Sequence, residues 1–115
     1  MSNFLLELAK TIKSKKKEDI STSYTSFLLS KGFENCLDKF KEESEEFSEA
    51  IKNNSNIVYE SADVIYHFLV TLESRGVKFI EVIEELEKRT NQSGLEEKKN
   101  RIKWNMIKKI FLQKY

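Results

Sequence analysis

Apolar side chains recur at helical spacing along most of this chain, and the pattern predicts an all-α protein. Between residues 33 and 52, Leu37, Phe40, Phe47 and Ile51 fall within a narrow arc at about 100° per residue, which predicts the core face of a long helix. The same periodicity predicts further helices over residues 3–17, 24–32, 57–75, 77–90 and 102–111.

The segment from residue 57 to residue 75 is apolar around most of its circumference, which predicts a central helix. Carboxylates on such a helix are costly unless they are paired, protonated or bound to a cation. We therefore expect its polar side chains to face a charged partner or a wet cleft. They form one narrow polar stripe with spacings of three or four residues: Glu60, Asp63, His67, Thr71 and Ser74.

Acidic residues on the preceding helix complement this polar stripe. Glu43 and Glu46 are three residues apart, and Glu42 and Glu46 are four apart, so their side chains are neighbours on a helix. Glu43 and Glu46 lie along the edge of the predicted core face, whereas Glu45 and Glu49 point to solvent. The short polar turn that follows is typical of antiparallel helices, and it would bring the two sets of carboxylates face to face.

Composition narrows the class of protein. The chain has 115 residues, no proline and three glycines, which favours one domain built from uninterrupted helices. Its formal net charge is only +1, with acids and bases interspersed, so no general attraction to nucleic acid is expected. The single cysteine, Cys36, fits a reducing compartment, and no segment resembles a signal peptide or a membrane span. We expect a cytoplasmic protein that does not enter a membrane.

The clustered carboxylates, without cysteines beside them, suit a hard cation such as Mg²⁺ or Mn²⁺. In phosphoryl hydrolysis such a metal neutralises phosphate oxygens and lowers the pKa of an attacking water, while a nearby carboxylate accepts the proton. The alternative for Glu42, Glu43 and Glu46 is a solvated face or ion pairs with lysines. For Glu60 and Asp63 the alternative is a buried ion pair.

These acidic residues carry a resemblance to a known group of enzymes. The pattern Glu42-Glu43-x-x-Glu46 followed by Glu60-x-x-Asp63 resembles the signature of the all-α nucleoside triphosphate pyrophosphatases, which include the MazG-like and dimeric dUTPase proteins. The similarity runs in order from about residue 5 to residue 101. Flanking motifs are similar to those of the phosphoribosyl-ATP pyrophosphatases of histidine biosynthesis: Ser23-Tyr24-Thr25, Lys31-Gly32, Tyr66-His67 and Ser93-Gly94-Leu95-Glu96-Glu97-Lys98.

The resemblance implies a bundle of four to five helices that is completed by homodimerisation. It also implies Mg²⁺-dependent hydrolysis of the α–β phosphate bond of phosphoribosyl-ATP, which yields phosphoribosyl-AMP and pyrophosphate. By resemblance, the metal ligands are Glu43, Glu46, Glu60 and Asp63. Glu42 is either a further ligand or the residue that activates water, so the expected catalytic group is Glu42, Glu43 and Glu46.

Substrate contacts follow from the same resemblance. Ser23, Tyr24 and Thr25 adjoin a short helix and present hydroxyls and backbone N–H groups to a phosphate. The alternative, which we favour for Tyr24, is a helix cap with the tyrosine packed in the core. Lys31 and Lys39 are candidate phosphate contacts, although in a lysine-rich chain each is more commonly a solvated charge.

His67 follows Asp63 by one helical turn on the polar stripe. One interpretation is that it supports a metal ligand or contacts the substrate. The other is a hydrogen-bonded core histidine, and its position leaves both interpretations open.

The family-like domain is expected to span residues 1–101, and residues 102–115 form a basic amphipathic extension beyond it. We expect this extension to pack on the dimer, with contact to a membrane surface or to a partner as the alternative.

Two other functions are compatible with the pattern. One is a house-cleaning pyrophosphatase of ordinary nucleoside triphosphates, and the other is a non-catalytic dimeric helical interaction protein.

Overall fold

The structure, a computed structural model, describes residues 4–91, 99–106 and 109, and every regular element within these residues is helical. This confirms the predicted all-α class. Residues 99–106 are helical as well. The main helices are α1 (Phe4–Ser14), α2 (Tyr24–Ser30), α3 (Phe33–Asn53), α4 (Ile57–Ser74) and α5 (Phe79–Thr90), with a 3₁₀ turn over Lys15–Lys17.

Helices α3 and α4 form a helical hairpin. Only residues 54–56 connect them, and so short a connection places the two helices antiparallel, as the polar turn predicts. Asn54 and Asn56 adopt left-handed conformations, with φ of 51° and 57°, which asparagine tolerates better than most residues. The backbone N–H of Ser55 donates to the carbonyl of Ala50 and closes the end of α3.

The core of the first unit, which ends at Phe79, is built by side chains from α1, α2, α3 and α4. Helix α4 contacts the other three, which agrees with its predicted central position. Cys36 donates its thiol hydrogen to the Leu28 carbonyl at 3.3 Å, and burial raises the pKa of this thiol. The buried apolar side chains that pack together are Ile12, Leu28, Cys36, Leu69 and Val70.

The core face of α3 differs from the predicted one. Leu37 and Ile51, which the periodicity assigns to the core, are 37% and 50% exposed, whereas Cys36 and Ala50 are buried. The buried face is therefore rotated by roughly 70° about the helix axis. The reason is that α3 packs on α2 and α4 through the side that carries Cys36. Glu43 lies midway between Cys36 and Ala50 at seven-residue spacing, so it points inward.

The second unit begins at Ile80 and comprises the rest of α5 and the described residues beyond it. Arg89 and Glu85 form an ion pair at 3.1 Å on successive turns of α5. The segment 93–98, which carries the last family-like motif, lies outside the described residues, as do most residues from 107 onward. No helix in the described part of the chain combines the length and the apolar character that a membrane span requires.

Candidate metal centre

Carboxylates from α3 and α4 meet in the cleft between the two helices. One oxygen each from Glu43, Glu60 and Asp63 lies within 4.8 Å of the other two, and all three side chains are partly buried. Glu43 projects from the inward face of α3, whereas Glu60 and Asp63 belong to the polar stripe of α4. The structure thus brings together three of the four residues predicted as metal ligands. We refer to Glu43, Glu60 and Asp63 as the carboxylate triad.

The fourth predicted ligand, Glu46, lies beside the carboxylate triad. It follows Glu43 by one turn of α3, and its charge acts on both Glu43 and Glu60. Because Glu46 is exposed, it borders the cleft on the solvent side.

Crowding of like charges changes the protonation of this cluster. Burial, followed by the neighbouring Glu46 carboxylate, raises the pKa of Glu43 from 4.5 to about 7, and Asp63 and Glu60 add to the increase. Burial and then Glu46 also raise the pKa of Glu60. Without a counter-charge, the cluster therefore retains protons that isolated glutamates lose well below neutral pH.

Two oxygens of the carboxylate triad have no hydrogen-bond partner. Glu43 Oε2 and Glu60 Oε2 are buried, and neither finds a donor in the part of the chain that the structure describes. A buried acceptor without a partner costs free energy, and so does a crowded set of carboxylates. A divalent cation with a preference for oxygen ligands relieves both costs. The donor set therefore fits a hard cation such as Mg²⁺.

The raised pKa of Glu43 predicts how pH changes the stability of the metal-free protein. Between pH 4.5 and about 7, the folded state binds more protons at Glu43 than the unfolded state does, so this site loses stabilising free energy as pH rises. We expect a decrease on the order of 1 kcal/mol in the free energy of unfolding from this site. Chemical denaturation in the presence of a chelator, from about pH 5 to about pH 8, measures it.

The lowered pKa of His67 makes the free energy of unfolding increase with pH, which opposes the effect of Glu43. The Glu43→Gln variant removes the Glu43 contribution and leaves that of His67 in place. The difference in unfolding free energy between Glu43→Gln and the wild type should grow in favour of the variant as pH rises. Glu45→Gln, which makes the same chemical change on the exposed side of the same helix, is the matched control. A pH-independent difference for Glu43→Gln would contradict the raised pKa.

His67 lies directly beside the carboxylate triad and is only 5% exposed. Its Nε2 atom is 3.9 Å from Glu43 Oε1, which is beyond hydrogen-bonding distance. Burial lowers the pKa of the imidazole, and the rings of Tyr66 and Tyr24 pack against it with centroid distances of 5.0 and 6.4 Å. The residue is therefore a core histidine and, at the same time, the neighbour of a predicted ligand.

The segment Ser23–Thr25 begins α2. Ser23 caps the helix, because its Oγ accepts a hydrogen bond from the Ser26 N–H at 3.2 Å, and this confirms the predicted cap. Thr25 shares a hydrogen bond with the hydroxyl of Tyr66. Tyr24 is 54% exposed, so the expectation that it packs in the core is wrong. It stands at the first position of α2, and its ring stacks on Tyr66 with a centroid distance of 6.5 Å.

The two lysines predicted to contact phosphate have different surroundings. Lys39 Nζ lies 3.4 Å from Glu42 Oε2, and the hydrogen bond with Glu42 raises the pKa of the lysine. Glu42 itself is 56% exposed and stands outside the carboxylate triad. Lys31 lies over the ring of Phe27 at 5.1 Å, and no contact in the described part of the chain joins it to the carboxylates.

A groove of about 630 Å³ runs from the carboxylate triad toward the connection between α3 and α4. Glu46 and Glu60 line its inner end. Its outer end carries hydroxyl and amide side chains from Ser48, Asn53, Ser55 and Asn56. The other residues of its described lining are Glu42, Glu45, Glu49, Ala50 and Lys52. Helical periodicity does not reveal this groove, since it treats the turn only as a connection. The signal that was available is the unbroken run of amide and hydroxyl residues in that turn.

Most of the chain matches one known family. The sequence model described as phosphoribosyl-ATP pyrophosphohydrolase matches residues 5–90. The chain belongs to this family. Curated relatives named phosphoribosyl-ATP pyrophosphatase agree: that of Rhodobacter capsulatus is 45% identical over 96 residues, covering 82% of this chain and 93% of the relative. That of Ruegeria pomeroyi is 46% identical over 103 residues, covering 88% and 98%. No solved structure matches the chain.

Every predicted site residue of this phosphoribosyl-ATP pyrophosphohydrolase family member falls within the matched range. The carboxylate triad and the groove lie inside it, whereas the motif over residues 93–98 lies beyond it. The family resemblance inferred from the acidic pattern is thus confirmed. The match covers the part of the chain that forms the candidate metal centre.

Proposed function

We propose that this chain hydrolyses the α–β phosphate bond of phosphoribosyl-ATP, releasing pyrophosphate and phosphoribosyl-AMP as a step of histidine biosynthesis. The observation that carries the proposal is the carboxylate triad, which lies inside the region matched by the phosphoribosyl-ATP pyrophosphohydrolase family. Relatives that cover most of the chain bear the name of this activity. A cleft of carboxylates without thiolates also suits chemistry on phosphates.

We assign the binding of Mg²⁺ to Glu43, Glu46, Glu60 and Asp63. When bound, the metal supplies charge neutralisation at the phosphate oxygens and a lower pKa for the attacking water. Glu43 must release its proton to act as a ligand, which its pKa of about 7 permits near neutral pH.

Glu42 borders the groove outside the carboxylate triad. We therefore assign it the role of accepting the proton of the water.

Side chains around the carboxylate triad are assigned to orientation of the site and the substrate. His67 is buried beside Glu43, with Nε2 3.9 Å from Oε1, and it excludes water from that side of the carboxylate. Lys39 offers an ammonium group beside Glu42 for a phosphate oxygen. The complete set of proposed substrate contacts is Ser23, Tyr24, Thr25, Lys31, Lys39 and His67.

We also propose that the protein is a cytoplasmic homodimer. Apolar side chains of α3 and α4 are exposed in the single chain, and a second copy would remove them from water. Val58, Tyr59 and Ile51 are 84%, 69% and 50% exposed. Residues 1–101 would form the dimeric domain, and residues 102–115 would form an extension beyond it. Sedimentation analysis of the purified protein tests the dimer. The proposed cytoplasmic location is supported by the free thiol of Cys36, which fits a reducing compartment.

Purified protein with Mg²⁺ is expected to prefer phosphoribosyl-ATP to the ordinary nucleoside triphosphates by at least about 100-fold in kcat/KM. Pyrophosphate release from each substrate measures the preference, and removal of the divalent cation should abolish turnover. A preference for an ordinary triphosphate would instead favour a house-cleaning pyrophosphatase. Absence of metal-dependent turnover on any of these compounds would favour a helical interaction protein.

A further inference from the structure

We infer that the outer end of the groove between α3 and α4 is the subsite for the phosphoribosyl group, the part of the substrate that distinguishes phosphoribosyl-ATP from ATP. The inference rests on the proposed function, because it places the reacting phosphates at the carboxylate triad. It concerns residues that have no role in the assignments above: Ser48, Lys52, Asn53, Ser55 and Asn56.

The groove has the length that this substrate requires. Its inner end lies at Glu46 and Glu60, beside the carboxylate triad, and Asn53 lines its outer end. The stretch of α3 from Glu46 to Asn53 rises about 10 Å along the helix axis. A sugar attached to the far side of the adenine lies at a comparable distance from the reacting phosphates. The ribose that carries the triphosphate lies much closer to them, so it does not reach the outer end.

The lining of the outer end suits a sugar phosphate better than a purine. The residues of the outer end, Ser48, Asn53, Ser55 and Asn56, carry neither an aromatic ring nor a large apolar side chain. This end therefore offers no surface on which a base would stack. Sugar hydroxyls both donate and accept hydrogen bonds, as serine hydroxyls and asparagine amides do. The described lining also holds the carboxylates of Glu42, Glu45 and Glu49, and Lys52 is its one basic residue. The Lys52 ammonium group is therefore the contact that the groove offers to the 5′-phosphate of the sugar.

Asn56 is the residue of the groove that is most clearly available to a ligand. It precedes α4 with φ of 57°, yet its side chain makes no capping hydrogen bond to that helix. Its backbone carbonyl instead accepts a hydrogen bond from the N–H of Glu60 at 3.0 Å, which ties its position to the carboxylate triad. Asn54 has nearly the same backbone conformation, with φ of 51°, but does not line the groove.

The matched variants Asn56→Gly and Asn54→Gly test this subsite. Glycine accepts a positive φ at both positions, so the turn is retained while one amide leaves the groove. Phosphoribosyl-AMP and AMP differ only by the phosphoribosyl group, and calorimetry with Mg²⁺ present measures their binding. We expect Asn56→Gly to weaken phosphoribosyl-AMP about tenfold without changing AMP, and to raise the KM for phosphoribosyl-ATP similarly. Asn54→Gly should change none of these values.

Equal weakening of phosphoribosyl-AMP and AMP by Asn56→Gly would overturn the inference, because the groove would then hold the nucleoside that both share. Unchanged binding of both compounds would overturn it as well. Lys52→Gln provides a second variant, which should also lower the selectivity for phosphoribosyl-AMP over AMP. The proposed function is tested separately by turnover of phosphoribosyl-ATP in the wild type. An active wild type with an unaffected Asn56→Gly variant would refute the subsite alone.

Discussion

The Asp63→Asn variant is expected to lose about 10³-fold in kcat for phosphoribosyl-ATP, which corresponds to about 4 kcal/mol of transition-state stabilisation. Asp63 contributes one of the three oxygens that converge within 4.8 Å, and an amide removes the negative charge that a hard cation needs. The metal-free fold should not suffer. Removal of a like charge beside Glu43 and Glu60 relieves the crowding that raises the pKa of both glutamates.

Pyrophosphate release and thermal unfolding, each with and without Mg²⁺, measure these two effects together. The wild type should gain stability from the cation, since a ligand that binds only the folded state stabilises it, and Asp63→Asn should lose most of this gain. Asp38→Asn is the matched control, because it makes the same chemical change at an exposed position of α3. Wild-type turnover by Asp63→Asn at saturating Mg²⁺ would remove Asp63 from the metal centre.

Leu28→Ala is expected to cost about 2–5 kcal/mol in the free energy of unfolding. Leu28 is 1% exposed and packs where α1, α2, α3 and α4 meet. A small domain has only about 5–15 kcal/mol of stability in total, so the loss leaves a large unfolded fraction under mild denaturing conditions. Chemical denaturation near 25 °C with a chelator present measures the change without the added stability of a bound cation.

Leu86→Ala serves as the control for Leu28→Ala, since Leu86 is 56% exposed on α5. The same truncation there should change the unfolding free energy by no more than about 0.5 kcal/mol. Leu28→Met keeps most of the volume and should recover most of the lost stability. Similar costs for Leu28→Ala and Leu86→Ala would show that the buried cluster does not hold the first unit together.

Two features were predictable from the sequence because they depend on local patterns: the helices themselves, and the proximity of the acidic residues on α3 to those on α4. The periodicity places the long helix at residues 33–52, and the structure ends α3 only one residue later, at Asn53. The three-residue spacing between Glu60 and Asp63 places both side chains on one side of α4. The short turn between α3 and α4 then fixes the two helices side by side in antiparallel orientation. The carboxylate triad follows from these two local facts.

The orientation of α3 was not predictable in the same way. Periodicity reports that Leu37 and Ile51 share an apolar arc, but it cannot tell the core of one chain from a surface that a second copy covers. Packing against α2 and α4 turns Cys36 and Ala50 inward instead. This rotation matters for function, because it carries Glu43 from the edge of the helix into the cleft.

Two features of the site depended on tertiary geometry. Tyr24 was expected to pack in the core behind a helix cap, yet the cap at Ser23 fixes the start of α2 and leaves Tyr24 half exposed. The groove is lined by residues of α3, of the connection and of the start of α4, and no sequence periodicity describes the space that tertiary packing leaves between them. The sequence pattern alone therefore locates the carboxylates of the site, but it does not locate the groove beside them.

The carboxylate triad lies within a single helical hairpin, and this has a consequence for the folding rate. Contacts between segments that are close along the chain form early, so α3 and α4 are expected to pair before α1 docks on α4. The negative charges of Glu43, Glu60 and Asp63 then meet at an early step of folding, where their mutual repulsion opposes closure of the hairpin. A divalent cation should therefore speed the folding of this chain as well as support its turnover.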